Sequence, residues 1–213
     1  MSLFLDRRAL IVGLGSVAAT GRSVAATPAA VVTILGDSIT SGLGVAHDQT
    51  LPTRLREALV RRGLNVVVRS AGVIGDTSRG GLSRVDRAVA ADTTVCIVAL
   101  GGNDLLRGAE PAETKANLRG IILRLRARRI GVLLAGLRAP GLLGASYARR
   151  FTGLYGDLAR ELDVALVPNL MAGVLGDRRR MQSDGIHPNA LGAAVIAETL
   201  APAVVQALAT GRG

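Results

Sequence analysis

The sequence predicts one α/β domain, a central parallel sheet covered by helices on both faces. Three observations predict it. Strand-like and helix-like segments alternate along the chain, the pattern that βαβ units leave in a sequence. The strand-like runs are apolar throughout instead of at every second residue, as strands buried on both faces are. At 213 residues, the chain is long enough for one domain with a proper core and not obviously for two.

Residues 31–35 read as the first strand, closed by Gly36. Residues 51–62 carry Leu51, Leu55 and Leu59 at helical spacing, with Thr50 as N-cap and Pro52 in the first turn. Residues 66–68 form the second strand and 78–90 a helix, followed by a strand at 94–100. Leu118, Ile121, Ile122 and Leu125 give residues 112–128 a helical stripe. A strand at 130–135, a helix at 147–162, a short strand at 164–167 and a final helix at 190–208 complete the alternation. No internal repeat, low-complexity tract or interdomain linker interrupts it.

Composition narrows the function classes. Nearly half the residues are hydrophobic (49%), which excludes a disordered chain. Tyr147, Tyr155, Phe4 and Phe151 are the only aromatic residues, so the core is built from aliphatic side chains. There is no aromatic platform on which bases could stack, and nucleic acid is not expected as a partner. The single Cys96 lies in an apolar run, which predicts a buried strand residue and no intramolecular disulfide.

The first 26 residues read as a signal peptide and 27–213 as the domain. Arg7 and Arg8 precede an apolar run from Ala9 to Ala19, and small residues up to Ala26 offer a cleavage site. The run is well short of the roughly 20 residues that span a bilayer. A secreted or periplasmic protein is expected, and the paired arginines leave Sec and twin-arginine export both open. An uncleaved tail is the competing reading. The formal charge is +10, and cleavage after Ala26 removes three arginines and one aspartate, leaving +8. A basic surface suits peripheral contact with anionic membrane or phosphate-bearing substrates. The blander reading, a solvated arginine-rich surface, is preferred; Arg124, Arg126, Arg128 and Arg129 crowd one helix end, where cations suit the dipole anyway. A monomer is favoured.

In an open parallel sheet, functional residues lie beyond the carboxyl ends of the strands. Gly36-Asp37-Ser38 follows the first strand, Gly75-Asp76-Thr77 the second and Gly101-Gly102-Asn103-Asp104 the third, while Asp184-Gly185-Ile186-His187 precedes the last helix. A serine hydroxyl needs an adjacent base to become a nucleophile, and the base needs an anion to hold its tautomer. Of the two histidines, His187 has Asp184 three residues before it, whereas His47 has only the adjacent Asp48. His187 is therefore the better base, and His47 reads as an exposed loop residue. Asn103 offers a side-chain amide, and Gly75 and Ser38 offer backbone N–H groups, for a developing oxyanion. A glycine at 75 also keeps a Cβ out of the substrate's way. This chemistry uses no cofactor and no metal, and two histidines with one cysteine would make a poor zinc site.

Each motif alone is weak, since Gly-Asp-Ser is often only a turn. Together, in this order, they resemble the four blocks of the SGNH (GDSL) hydrolase family: Gly36-Asp37-Ser38-Ile39-Thr40, Gly75-Asp76-Thr77-Ser78, Gly101-Gly102-Asn103-Asp104 and Asp184-Gly185-Ile186-His187-Pro188-Asn189. Leu106-Arg107-Gly108, Arg138-Ala139-Pro140 and the segment from Tyr147 to Phe151 resemble the family's bacterial periplasmic branch of multifunctional thioesterases, lysophospholipases and arylesterases. The resemblance implies a three-layer flavodoxin-like fold and a catalytic triad of Ser38, Asp184 and His187. It implies an oxyanion hole of the Ser38 N–H, the Gly75 N–H and Asn103. By the same resemblance Leu105, Leu106, Arg107, Gly108 and Pro140 border the acyl site, and the apolar 141–144 stretch either lines that groove or simply packs. The expected function is hydrolysis of carboxylic esters or thioesters through an acyl-enzyme on Ser38. A carbohydrate O-deacetylase of the same family, and a non-catalytic module binding phosphate at a helix N-terminus, are the alternatives.

Overall fold

The structure is a computed structural model and describes residues 29–210. The segment read as a signal peptide lies outside the described residues. Five strands build one parallel sheet: β1 (Ala30–Gly36), β2 (Val66–Gly72), β3 (Val95–Ala99), β4 (Gly131–Ala135) and β5 (Ala165–Val167), in the order β2-β1-β3-β4-β5. Val32 stands opposite Val68 on one side and Val95 on the other, so β1 is a central strand with β3 beside it. This is the flavodoxin-like order, and its switch point lies between β1 and β3, where the chain leaves the sheet in opposite directions.

Among the described residues seven α-helices connect or cover the strands: α1 (Ser38–Ser41), α2 (Leu51–Arg61), α3 (Ser78–Ala88), α4 (Gly102–Leu106), α5 (Pro111–Ala127), α6 (Ala145–Leu162) and α7 (Ala190–Thr210). Alternate residues of each central strand face opposite layers. Val32, Ile34, Ile97 and Leu133 pack with α2 and α7, through Leu55, Leu59, Ile196 and Leu200. Leu35, Val98 and Leu134 pack with α3, α5 and α6, through Val85, Ile121 and Leu158. Phe151 and Tyr155 of α6 are fully buried in that second layer. Cys96 is buried on β3, where its surroundings push the thiol up to about 12 by desolvation, so it is inert packing. Helix α7 is long and apolar enough to cross a membrane by composition, yet its buried side belongs to the first layer.

Three details differ from the sequence reading. Strand β2 runs on through Arg69, Ser70, Ala71 and Gly72; it is an edge strand, so polar residues on its open side cost little. Thr50 occupies the N-cap position of α2 without capping it; its hydroxyl donates to the His47 carbonyl instead. The motifs after β1 and β3 open short helices, α1 and α4, too brief to leave a periodic signal. The crowded arginines of α5 tie the outer layer together: Arg126 donates to the Leu162 carbonyl at the end of α6, and Arg128 to the Val89 carbonyl that ends α3. Helix C-termini carry unpaired carbonyls, so these cations have a structural use.

Candidate active site

The chain turns sharply from β1 into α1. Asp37 is the N-cap, its carboxylate accepting the Ile39 N–H at 3.0 Å. Ser38 is the first residue of α1 and almost fully buried. Its N–H belongs to the first helical turn, whose amides have no intrahelical acceptor. Val73, directly after β2, donates to the Gly36 carbonyl, which brings the β1 and β2 exits together.

Asp184 and His187 stand in the loop between β5 and α7. Ser38 Oγ lies 2.9 Å from His187 Nε2, and His187 Nδ1 lies 2.6 Å from Asp184 Oδ2. Asp184 Oδ1 also accepts the N–H groups of Ile186 at 2.9 Å and His187 at 3.0 Å. The imidazole, followed by these two amides, holds the Asp184 carboxyl down at about 2. An ionised carboxylate can only accept, so Nδ1 carries the proton and Nε2 presents its lone pair to the Ser38 hydroxyl. His47 sits on the exposed 3₁₀ turn His47–Gln49 and takes no part in the arrangement.

Asn103, near the start of α4, donates through Nδ2 to the Asp76 carbonyl at 2.9 Å and makes a longer contact of 3.4 Å with Asp37 Oδ2. One amide hydrogen is thus fixed, and the second is held loosely enough to be given to another acceptor. Gly75 has φ +75°, and a Cβ there would meet only the Arg107 guanidinium at 3.9 Å. The visible reason for glycine is therefore the left-handed backbone, not lack of room. Gly101 is different: a Cβ would fall 2.1 Å from the Tyr155 hydroxyl, which donates to the Leu100 carbonyl.

Ser38, Gly75, Asn103 and His187 all line one cavity of about 460 Å³. Leu105, Leu106 and Pro140 line it too, as do Leu142 and Leu143 of the 141–144 stretch. Arg107 and Gly108 are not among the lining residues. Arg107 donates to the Gly75 carbonyl and so braces the turn after β2, while Gly108 closes α4 at φ +66°. The cavity mouth is apolar, with Leu106, Leu142 and Ile186 exposed around it. Among the described residues no group of three or more His, Cys, Asp or Glu is placed to hold a metal ion.

The GDSL-like lipase/acylhydrolase family model matches residues 34–195, from within β1 into α7. The chain belongs to that family. It is 38% identical over 156 residues to "Esterase TesA" of Pseudomonas aeruginosa, covering 73% of this chain and 78% of the relative. It is 36% identical over 157 residues to "Thioesterase 1/protease 1/lysophospholipase L1" of Escherichia coli, covering 73% and 74%. The crystal structure of TesA superposes with a TM-score of 0.79 at 35% identity, covering 84% of this chain and 99% of that one. AlinE4, an SGNH-hydrolase family esterase, superposes at 0.72 and 39% identity, covering 86% and 99%. The chain is an ester hydrolase of the SGNH type.

Three residues that bear on the site have no role of their own in the sequence reading, although Asp37 belongs to its Gly36-Asp37-Ser38 motif. Asp37 is buried beside the serine, Gln182 ties the His187 loop to the chain after α1, and Arg84 is buried beneath both glycine motifs. Only Asp37 carried a signal, an N-cap residue in front of a helix.

Proposed function

We propose that the chain cleaves carboxylic esters and thioesters through an acyl-enzyme on Ser38, with His187 as general base and Asp184 as its orienting anion. The observation that carries this reading is the unbroken hydrogen-bonded series from Ser38 through His187 to Asp184 at the wall of an apolar cavity. His187 Nε2 takes the Ser38 proton as Oγ attacks the acyl carbonyl. The carbonyl oxygen gains charge beside the N–H groups of Ser38 and Gly75 and the second amide hydrogen of Asn103. His187 then returns the proton to the departing alcohol or thiol, leaving an ester on Ser38. A water molecule then attacks the Ser38 ester while giving its proton to His187, which passes it to Ser38 Oγ as the C–Oγ bond breaks and the acid is released.

The apolar lining supports an acyl chain over a sugar ring, whose hydroxyls would want polar partners. Aryl esters, lysophospholipids and acyl thioesters are accordingly the substrates proposed, the last two in keeping with the name of the Escherichia coli relative. The basic n-region, apolar run and small-residue site at residues 1–26 support export to the periplasm or medium, followed by cleavage near Ala26. A fluorophosphonate probe tests the assignment. The wild-type chain should be labelled on one serine and should hydrolyse p-nitrophenyl esters, and Ser38→Ala should fold normally with neither property. Labelling or turnover that survives Ser38→Ala would assign the nucleophile elsewhere.

A further inference from the structure

Arg84 sits in the interior half of α3, in a stretch whose sequence resembles a solvated helix face, yet it is only 8% exposed. Its guanidinium donates to three separate acceptors: Nε to Asp76 Oδ2 at 2.7 Å, Nη1 to the Ala71 carbonyl at 2.9 Å and Nη2 to the Gly36 carbonyl at 2.9 Å. Gly36 is the last residue of β1, two before Ser38. Ala71 lies at the end of β2. Asp76 follows Gly75 directly, and its carbonyl accepts the Asn103 amide. Gly80 leaves the room this needs, since a Cβ there would fall 1.8 Å from Asp76 Oδ1.

We propose that Arg84 is a positioning residue for the oxyanion hole, the one buried group to which all three oxyanion donors are referred. Ser38 is reached through Gly36, Gly75 through Asp76, and Asn103 through the Asp76 carbonyl. An arginine suits this because its planar fork holds several acceptors in fixed directions. A lysine ammonium carries the same charge on a flexible stem and cannot reproduce that fork. The charge itself is matched by Asp76, whose side chain is equally enclosed at 9% exposure. The role acts on the transition state, since small displacements of an oxyanion donor matter most where charge develops. The inference rests on the proposed acyl-enzyme chemistry at Ser38.

Two variants test it, chosen so that neither leaves a lone buried charge. Arg84→Lys keeps the ion pair and loses the fork; the double variant Arg84→Met with Asp76→Asn removes both charges and keeps the Asp76 carbonyl. Active sites are counted by end-point fluorophosphonate labelling, so unfolded protein does not enter the rate. Per active site, kcat on a p-nitrophenyl ester should fall at least about tenfold in each variant, with KM within about twofold. An alkyl boronate, which mimics the tetrahedral adduct, should lose affinity by the same factor as kcat. A structural role alone would lower the melting temperature and the number of labelled sites, while the surviving sites kept wild-type kcat and boronate affinity. Variants with kcat per site within about threefold of wild type would overturn the positioning role. If the wild-type chain itself were neither labelled nor active, the reading of Ser38 would fail first. A labelled, active wild type with unchanged Arg84 variants would sink this inference alone.

Discussion

The two halves of the site are held in different ways. Ser38, Gly75 and Asn103 stand at the exits of three neighbouring strands, and the groups beneath them, Asp37, Arg84 and Asp104, are all buried. Asp104 accepts the Ser78 N–H and hydroxyl, which ties α4 to the start of α3. Asp184 and His187 stand instead on a loop, with 42% of the Asp184 side chain exposed and 18% of the His187 side chain. That loop is pinned by a bridge between Met181 and Pro188, by Gln182, and by Asn189, whose amide donates to the Arg179 and Met181 carbonyls. The difference teaches a division of labour. In the proposed mechanism, groups that meet developing charge must not reorganise, and the sheet fixes them; the proposed base shuttles protons and needs only to be returned to one position.

The sharpest way to break the exposed half is Asp184→Asn. The fold and loop should survive, because an amide oxygen still accepts the two backbone N–H groups. The imidazole would no longer be held with its proton on Nδ1. A fall in kcat of up to about 10⁴-fold is expected, the size seen when the same change is made in another triad. Steady-state kinetics alongside a thermal melt would show it. A loss of under about tenfold would mean that solvent at this exposed carboxylate does most of its work.

The buried half is broken by Asn103→Ala. Loss of one oxyanion donor costs about 10²–10³ in kcat, roughly 2.7–4 kcal/mol. KM should change little, because the ground-state carbonyl is a poorer acceptor. The contact with the Asp76 carbonyl is lost as well, so a fall in stability of about 1 kcal/mol is expected alongside. A stable variant with kcat within about threefold of wild type would remove Asn103 from the mechanism.

The same division explains what could be read from sequence. Strands β1, β3 and β4 were legible because burial on both faces demands continuous apolar runs, and β2 was read short because its Arg69 and Ser70 lie on an open edge. Ser38, Gly75, Asn103, Asp184 and His187 are candidates in the sequence because the proposed chemistry restricts residue type and they follow strand ends or precede a helix; the structure places Ser38, Gly75, Asn103 and His187 on one cavity, with Asp184 bonded to His187. Arg84 was not. An arginine on a helix with Arg79 and Arg87 nearby looks solvated, and only the tertiary approach of β1 and β2 makes it an interior group. Arg107 and Gly108 are placed at the acyl site by resemblance alone; what the structure shows of them is local, one bracing the turn after β2 and the other following the end of α4.

Gln182→Ala sharpens the comparison, since it loosens the loop without touching a reacting group. The Gln182 amide donates to the Leu43 carbonyl at 2.8 Å and to the Pro188 carbonyl at 3.0 Å. Its backbone N–H still donates to the His187 carbonyl at 2.8 Å, so the loop should keep its path. A loss of about 1 kcal/mol in stability and of roughly threefold to tenfold in kcat is expected, smaller than for either substitution above. Unchanged kcat would show that the backbone alone holds the base.

The smallest effect on activity is expected from Asp37→Asn, and it probes the buried half through pH. Burial pushes the Asp37 carboxyl up to about 6 from its usual 3.8; the Ile39 N–H and the charge of His187 pull it down less strongly, and Asp76 adds a further upward push. Between those two values the folded chain still holds a proton that the unfolded chain has released. Stability from this group therefore falls as pH rises from about 4 through 6 and levels off at about pH 7. Asparagine cannot ionise, and it can cap the Ile39 N–H as aspartate does. The variant should match wild type in melting temperature near pH 4 and exceed it increasingly up to about pH 7. The gain has an upper bound of about 3 kcal/mol, set by the size of the shift. Asn103 keeps its stronger bond to the Asp76 carbonyl, so kcat should fall by less than about threefold. Melts taken at half-unit steps of pH decide the point. A difference that is flat across pH 4–7 would mean that Asp37 titrates alike folded and unfolded, and that the wall behind Ser38 is wetter than its burial implies.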